Sequence, residues 1–213
     1  PTPLSFPPDV KPDPPESFCA PILGPNKIAK LSFTGLVFSP DGARIYLSDV
    51  NGGIKVFSVG KDKNVAPLFS IPLPKANMPG RVNDIPAGIA VSRDGKKLYV
   101  ALNVGNQLAQ LDTATGKLLR TWNVGVAPYD VVLAGQKIYV SNWGGRRPDV
   151  HSMVGPIGRN GSVRVNGHSV ADEGSVSVID LAAKSGTQNS KLEILTGVHA
   201  CALGLSPDGK FLV

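Results

Sequence analysis

Hydrophobic and polar positions alternate over short runs, and the runs come in pairs. "GLVFSPDGARIYLSD" (35–49), "GIAVSRDGKKLYVAL" (88–102) and "LGLSPDGKFLV" (203–213) each hold an apolar run, a polar turn ending in glycine, and a second apolar run. "DVVLAGQKIYVSN" (130–142) repeats the scheme with its turn worn by one residue. An Asp-Gly pair between alternating apolar runs is a strong hairpin signal, because glycine accepts the positive φ that primed turns require. The text after each hairpin also repeats. "GGIKVFSV" (52–59), "NQLAQLD" (106–112) and "GSVSVIDL" (174–181) read as third strands. "APLFSIPL" (66–73), "GKLLRTWNV" (116–124) and "SKLEILTG" (190–197) read as fourth strands. No stretch shows a 3.6-residue period with caps, so almost no helix is expected.

Four antiparallel strands per unit, at a period near 40, describe one blade of a β-propeller. The turn glycines Gly95 and Gly135 are 40 residues apart, whereas Gly42 to Gly95 is 53 and Gly135 to Gly209 is 74. Two units therefore carry insertions, at 74–86 and 143–173. The expected fold is all-β: a partial ring of four-stranded antiparallel blades, three complete and the first hairpin of a fourth. Residues 1–29 are a Pro-rich segment, extended or part of a preceding blade, and 30–213 form the incomplete propeller. The blades are expected at about 30–74, 87–125 and 126–197, with the next starting at 198–213. Such an arc would leave an apolar flank open at Phe38, Val91 and matching positions, to be covered by further chain or by another molecule.

Strand parity gives the insertions a direction. If the first strand of a blade starts at the top, the Asp-Gly turn and "TATGK" (113–117) lie at the bottom, and blade-to-blade crossovers lie at the top. "PKANMPGRVNDIP" (74–86) is a crossover, and 143–173 joins a second strand to a third, so both leave from the top. The bottom turns are read as short in every blade. Long connections confined to one side suggest a working face. Binding candidates on it are Trp143, Arg146, Arg147, His151, Tyr129 and Arg81. Adjacent guanidiniums could grip a carboxylate or phosphate through paired donors; alternatively one arginine bonds loop carbonyls and the other is solvated. Trp143 either stacks on a ligand or seals the top of a blade. Asp149, Asp172 and Glu173 are acid–base candidates or hydrated loop carboxylates. "GSVRVNG" (161–167) reads as a small extra hairpin inside the cap, and "NGS" (160–162) matches a glycosylation triplet that chance often supplies.

Composition narrows the chemistry. The chain of 213 residues has 24 Gly, 19 Pro and a formal charge of +6, with Lys and Arg mostly in turns such as "DGKK" and "GKDK". That pattern reads as solvated turn decoration; a polyanion binder would need these cations gathered on one face. No apolar run approaches the roughly 20 residues of a spanning helix. Cys19 and Cys201 lack metal-site spacing and are either two buried thiols or one long-range disulfide. His151, His168 and His199 show no ligand spacing, so neither metal nor other cofactor is expected. "GPIGRNG" (155–161) follows no strand-to-helix switch and is not a phosphate cradle. No nucleophilic constellation is visible, and no catalytic residue is assigned.

"SPDGKFLV", "SRDGKKLYVAL", "GSVSVIDL" and "VGVAPYDV" resemble the YVTN-type repeats of seven-bladed, lactonase-like propellers. The stretch "VALNVGNQLAQLDTATGKLLRTWNVGVAPYDVVLAGQKIYVSNWGGRRP" is similar to the amino-terminal propeller of bacterial YncE-like proteins that continue into an alkaline-phosphatase-type phosphoesterase domain. The resemblance covers 30–213, and it implies a periplasmic or cell-surface location. Two functions follow as expectations. One is a non-catalytic scaffold whose top-face cap meets a protein partner or a companion domain of the same chain, with no nucleic acid and no membrane span. The other is the propeller part of a larger hydrolase, either a phosphoesterase lying in a domain beyond this chain or a lactonase-like activity.

Overall fold

The computed structural model describes residues 35–78, 81–157, 161–183 and 192–213, apart from the side chains of 77, 78 and 81. Among these residues there is no helix. The first sheet pairs β1 (Leu36–Phe38), β2 (Arg44–Asp49), β3 (Gly53–Val59) and β4 (Val65–Pro72) in chain order. A two-stranded hairpin follows, β5 (Lys75–Met78) with β6 (Arg81–Asn83). The second sheet is β7 (Pro86–Val91), β8 (Lys97–Leu102), β9 (Gln107–Asp112) and β10 (Leu118–Asn123). The third begins with β11 (Pro128–Ala134) and β12 (Lys137–Asn142). It is interrupted by the hairpin β13 (Val154–Ile157) and β14 (Gly161–Arg164), and finishes with β15 (Gly174–Asp180) and β16 (Leu192–Thr196). All pairings are antiparallel, as the tight glycine turns require. Leu205 bridges Leu212, and Gly204 and Val213 exchange backbone bonds of 2.6 and 2.8 Å, which opens a fourth unit.

The register repeats from sheet to sheet. Ile54 faces Ile71, Leu108 faces Trp122, and Val176 faces Ile194. Side chains leave a strand on alternate faces, and each blade stacks one face on each neighbour. Tyr46, Ile54, Val56 and Ile71 of the first blade pack against Leu98, Val100, Leu102, Ala109 and Leu111 of the second. The opposite face of the second blade presents Tyr99, Ala101, Leu108 and Trp122 to Val131, Ile138, Val140 and Ile179 of the third. A middle blade covered on both faces reads as a continuous apolar run, which is why "LYVAL" does not alternate. Each large side chain so buried contributes about 1.5–3 kcal/mol, so the two stacking layers hold the arc together. Val91 packs against the first layer and is not part of an open flank; Phe38 is half exposed, as expected. At the other end, Tyr139, Val176, Ile194, Leu203 and Leu212 line an open groove of about 530 Å³ on the free face of the third blade.

Three of the bottom turns share one construction, which the third blade's turn at Gly135 lacks. Ser39, Ser92 and Ser206 each donate a hydroxyl hydrogen bond to the aspartate two residues on, Asp41, Asp94 and Asp208, at 2.5–2.6 Å. The same aspartates accept the backbone N–H of Ala43, Lys96 and Lys210. Each serine oxygen in turn accepts the N–H of Arg44, Lys97 or Phe211 at 2.9 Å. Only the glycines take positive φ: Gly42 at 69°, Gly95 at 71° and Gly209 at 70°. The two-residue primed turn expected from the Asp-Gly pair is therefore not what forms, since it needs positive φ at both central residues. The serine–aspartate bonds hold a longer loop that closes on a single left-handed glycine.

Candidate functional site

Both insertions rise from the rim opposite these turns. Trp143, Gly144 and Gly145 leave β12 and bond straight onto the crossover between blades two and three. Trp143 N–H donates to the Ala127 carbonyl at 3.1 Å and Gly144 N–H to that of Val126 at 2.9 Å, while Val126 N–H donates to the carbonyl of Gly145 at 2.8 Å. The earlier insertion meets the same rim, because Asn83 Nδ2 donates to the carbonyl of Asn51 in the β2–β3 turn. Its Arg81 lies on β6, with its side chain outside the described residues. The bottom rim is less uniform than expected. The third blade's β15–β16 connection runs from 181 to 191, of which 184–191 lie outside the described residues.

The two ends of the larger insertion are tied by one carboxylate. Glu173, the last residue before β15, accepts two bonds from Arg146 Nε at 3.2 Å, one from Arg146 Nη2 at 2.8 Å and one from the Arg146 backbone N–H at 3.0 Å. Arg164 Nε lies 3.7 Å from the same carboxylate and its Nη1 lies 3.2 Å from Asp149. Burial pushes the Glu173 carboxyl up, but the hydrogen bonds and charge of Arg146 outweigh it and hold the group below its ordinary range. Gly145 sits at φ 72°, and a Cβ there would meet Glu173 Cγ at 2.7 Å, so only glycine lets the chain turn this close to its anchor. The reading of one arginine as solvated and of Glu173 as a hydrated loop carboxylate is corrected: Arg146 and Glu173 are each other's partner, because loop closure brings residues 27 apart in sequence into contact.

Arg147 is the arginine that bonds carbonyls. Its Nε donates to the Val124 carbonyl at 2.7 Å and its Nη2 to that of Asn106. Both carbonyls belong to the top of the second blade, so this arginine straps the insertion across a blade boundary. Trp143 stacks on His199 with ring centroids 4.0 Å apart and planes 14° from parallel. His199 and Ala127 occupy equivalent crossover positions, and both have positive φ, 61° and 51°. The analogous residue after the second blade's second strand, Asn103, donates from Nδ2 to the carbonyl of Pro128. Trp143 therefore seals a blade junction, the role Asn103 plays one blade earlier. Tyr129 is half-buried at the start of β11, an edge strand of the third sheet.

Beyond the anchor the insertion folds on itself. Asp149 accepts from the Ser152 hydroxyl at 2.9 Å, from the His151 N–H at 3.0 Å and from Arg164. In that order these bonds lower its carboxyl to about 2. His151 is exposed in this turn. The extra hairpin spans 154–164; "GSVRVNG" supplies only its second strand, β14, while 165–167 lead into the turn at Asn166. The inward member, Val163, is 5% exposed. Outward, Val150, Met153, Val154 and Val170 are each more than half exposed. Asn160 of the glycosylation triplet lies outside the described residues, as does Cys19. Cys201 is an exposed free thiol, contrary to the buried-thiol expectation; its Sγ–H donates to the His199 carbonyl at 3.0 Å. Among the described residues, no three His, Cys, Asp or Glu side chains converge as a metal site.

Sequence reading missed a polar cluster under the cap. Asn142, fully buried, donates from Nδ2 to Ser177 Oγ at 2.9 Å and Ser175 Oγ at 3.0 Å, and Ser175 Oγ donates to Glu193 at 2.6 Å. Ser177 Oγ accepts the Gly125 N–H across the blade boundary. The first blade places a buried Lys55–Asp49 pair, 3.3 Å apart, at corresponding positions. The signal was present in the run "SVSV", where serine recurs on one strand face.

Comparison with solved structures supports the architecture. At a TM-score of 0.53 and 20% identity, the chain is similar to a protein of Lactobacillus plantarum, covering 78% of this chain and 42% of that one. At 0.50 and 22% identity it is similar to the periplasmic gluconolactonase of Pseudomonas aeruginosa, covering 78% of this chain and 40% of that one. The chain thus spans about two fifths of the length of these structures. No family model matches it, and neither does any curated protein. Identities this low speak to fold alone. Three stacked four-stranded antiparallel sheets, a fourth unit begun and no described helix make this chain part of a β-propeller.

Proposed function

We propose that this propeller segment is a non-catalytic binding module, whose top-face cap engages a protein partner or a companion domain of the same polypeptide. One observation carries the reading: in the described part of the 143–173 insertion, all charged groups but Asp172 anchor the loop, and apolar side chains face outward. Arg146, Arg164, Asp149 and Glu173 pair among themselves, and Arg147 is held by backbone carbonyls. Val150, Met153, Val154 and Val170 are left on the outer surface. Ordered apolar surface of this kind suits protein contact. A periplasmic or cell-surface location belongs to the same proposal and rests on the resemblance of the repeats.

The second reading is that of a larger hydrolase, with phosphoesterase chemistry in a further domain or lactone hydrolysis on the propeller. It draws on the repeat resemblance. A photo-crosslinking amino acid at Val150 in the native polypeptide tests the first reading, with one at Lys63 as control. A binding module gives one stoichiometric product from Val150, lost when Met153→Ser/Val154→Ser makes the neighbouring apolar surface polar. Crosslinking equal at both positions, or lactone hydrolysis that survives the same two substitutions, would overturn the proposal.

A further inference from the structure

The first two blades enclose a second site, independent of the cap. A pocket of about 560 Å³ lies between their bottom turns, and its lining includes Arg44, Tyr46, Arg93, Asp41 and Asp94. Arg44 reaches across the junction, where its Nη1 donates to the Thr113 carbonyl of the second blade at 3.4 Å. No other side-chain bond or ion pair takes up its remaining N–H groups among the described residues. Arg93 is exposed, and its guanidinium has no partner among the described residues. Two guanidiniums from two blades therefore border one cavity with most of their donors unspent.

Two of the lining residues depart from the repeat. The sister turns read Ser39-Pro40-Asp41 and Ser206-Pro207-Asp208, whereas the second blade reads Ser92-Arg93-Asp94. Proline in such a turn reduces the entropy lost on folding, so the second blade forgoes that gain and places a guanidinium at the pocket. Tyr46 and Tyr99 each stand seven residues after their turn serine. Tyr99 lies opposite Gln110, whose Nε2 donates to the Tyr99 hydroxyl at 2.9 Å. Tyr46 lies opposite Val56, which has no polar group to offer. Tyr46 is only 1% exposed and lines the pocket, and its hydroxyl has no hydrogen-bond partner among the described residues. A hydroxyl so placed gains from any acceptor that enters the pocket.

We infer that this pocket binds the oxyanion group of a small molecule, a phosphate or a carboxylate, with Arg44 and Arg93 donating from the two turns and the Tyr46 hydroxyl donating from the wall. Guanidinium groups suit such a ligand because their N–H donors pair with its oxygens. Asp41 and Asp94 share the lining, but each is engaged in its own turn by a serine hydroxyl and a backbone N–H. The Ser92 hydroxyl first, then the Lys96 N–H and the charges of Lys96 and Lys97, hold the Asp94 carboxyl below its ordinary range against the effect of burial. Cations at and beside the pocket thus outnumber its two carboxylates. A cavity of this size also has room for the body of a small molecule behind the anionic group.

The test is titration calorimetry of the native polypeptide with inorganic phosphate and, separately, with citrate, at constant ionic strength. Tighter binding of phosphate assigns the group as a phosphate, and tighter binding of citrate assigns it as a carboxylate. Arg93→Pro installs the residue of the sister turns and removes the guanidinium, and it should weaken binding of the preferred anion about tenfold or more. Tyr46→Phe removes one oxygen and should weaken it about fivefold. Two controls match these changes away from the pocket: Lys137→Gln removes one exposed cation from the third blade, and Tyr99→Phe removes a hydroxyl that Gln110 already engages. Each control should change the affinity less than about twofold. Arg93→Gln replaces Arg93→Pro should the proline lower Tm. Absence of binding by the parent, a loss from Lys137→Gln equal to that from the Arg93 variant, or unchanged affinity in both Arg93→Pro and Tyr46→Phe would overturn the inference.

Discussion

The two rims of this propeller are built from the same strands and end in opposite ways. At the bottom, three short turns each close on a left-handed glycine and a serine–aspartate bond, and the lysines beside them are exposed. At the top, one connection has grown to 31 residues, and nearly every charge in its described part is consumed in holding it down. The same residue types therefore do different work according to their surroundings. A carboxylate beside a turn hydroxyl shapes a turn, and a carboxylate between two arginines closes a loop. Burial decides how much each is worth, because desolvated pairs interact strongly and exposed ones are screened.

Substitutions should separate the rims. The largest effect is expected for Gly145→Ala, which combines positive φ with a clash against Glu173, and should cost about 3 kcal/mol by denaturant unfolding. Gly42→Ala has the same handedness but nothing within 4 Å of the added carbon, so it should cost only about 1 kcal/mol. If the two cost the same, crowding at the cap anchor is not what distinguishes the rims. Glu173→Ala leaves Arg146 and Arg164 without their shared partner. With Arg146 41% exposed, solvent screening reduces the expected loss to about 1–2 kcal/mol. The loss should appear first as faster amide hydrogen exchange in 146–173, with the sheets unchanged.

Ser92→Ala removes one turn hydroxyl and should cost about 1 kcal/mol, with no change at the cap. The smallest effect concerns acid. Asp149 and Glu173 are both held below their ordinary carboxylate range, so their contribution is complete above the unfolded values and is lost as pH falls through the folded ones. The Asp149 turn should thus persist at pH 4 and release only near about 2, measured by the carboxyl carbon shift of Asp149. A midpoint near the unfolded value would show that the Ser152 and Arg164 bonds do not hold in solution.

Much of the fold was legible in the chain. Strand order, the four-strand period, the positions of the insertions and the rim they leave from follow from alternation and parity, which are local properties of extended chain. The turns were legible in place but not in kind. An Asp-Gly pair suggests a primed turn, and the serine two residues earlier redirects the aspartate into a different loop. The candidate site was legible in outline. Trp143, Arg146 and Arg147 were singled out from the break in the period, yet their partners were hidden. Glu173 lies 27 residues from Arg146, His199 lies 56 from Trp143, and Asn106 lies 41 from Arg147. No periodic signal spans such distances.

By itself the sequence determined that this protein is built of repeated antiparallel quartets with two excursions on one side, because backbone pairing and side-chain alternation are set within a few residues. Only the tertiary structure decided which charges anchor and which face solvent. That depends on what loop closure and blade stacking bring within a few ångströms, and on how much water is left between them.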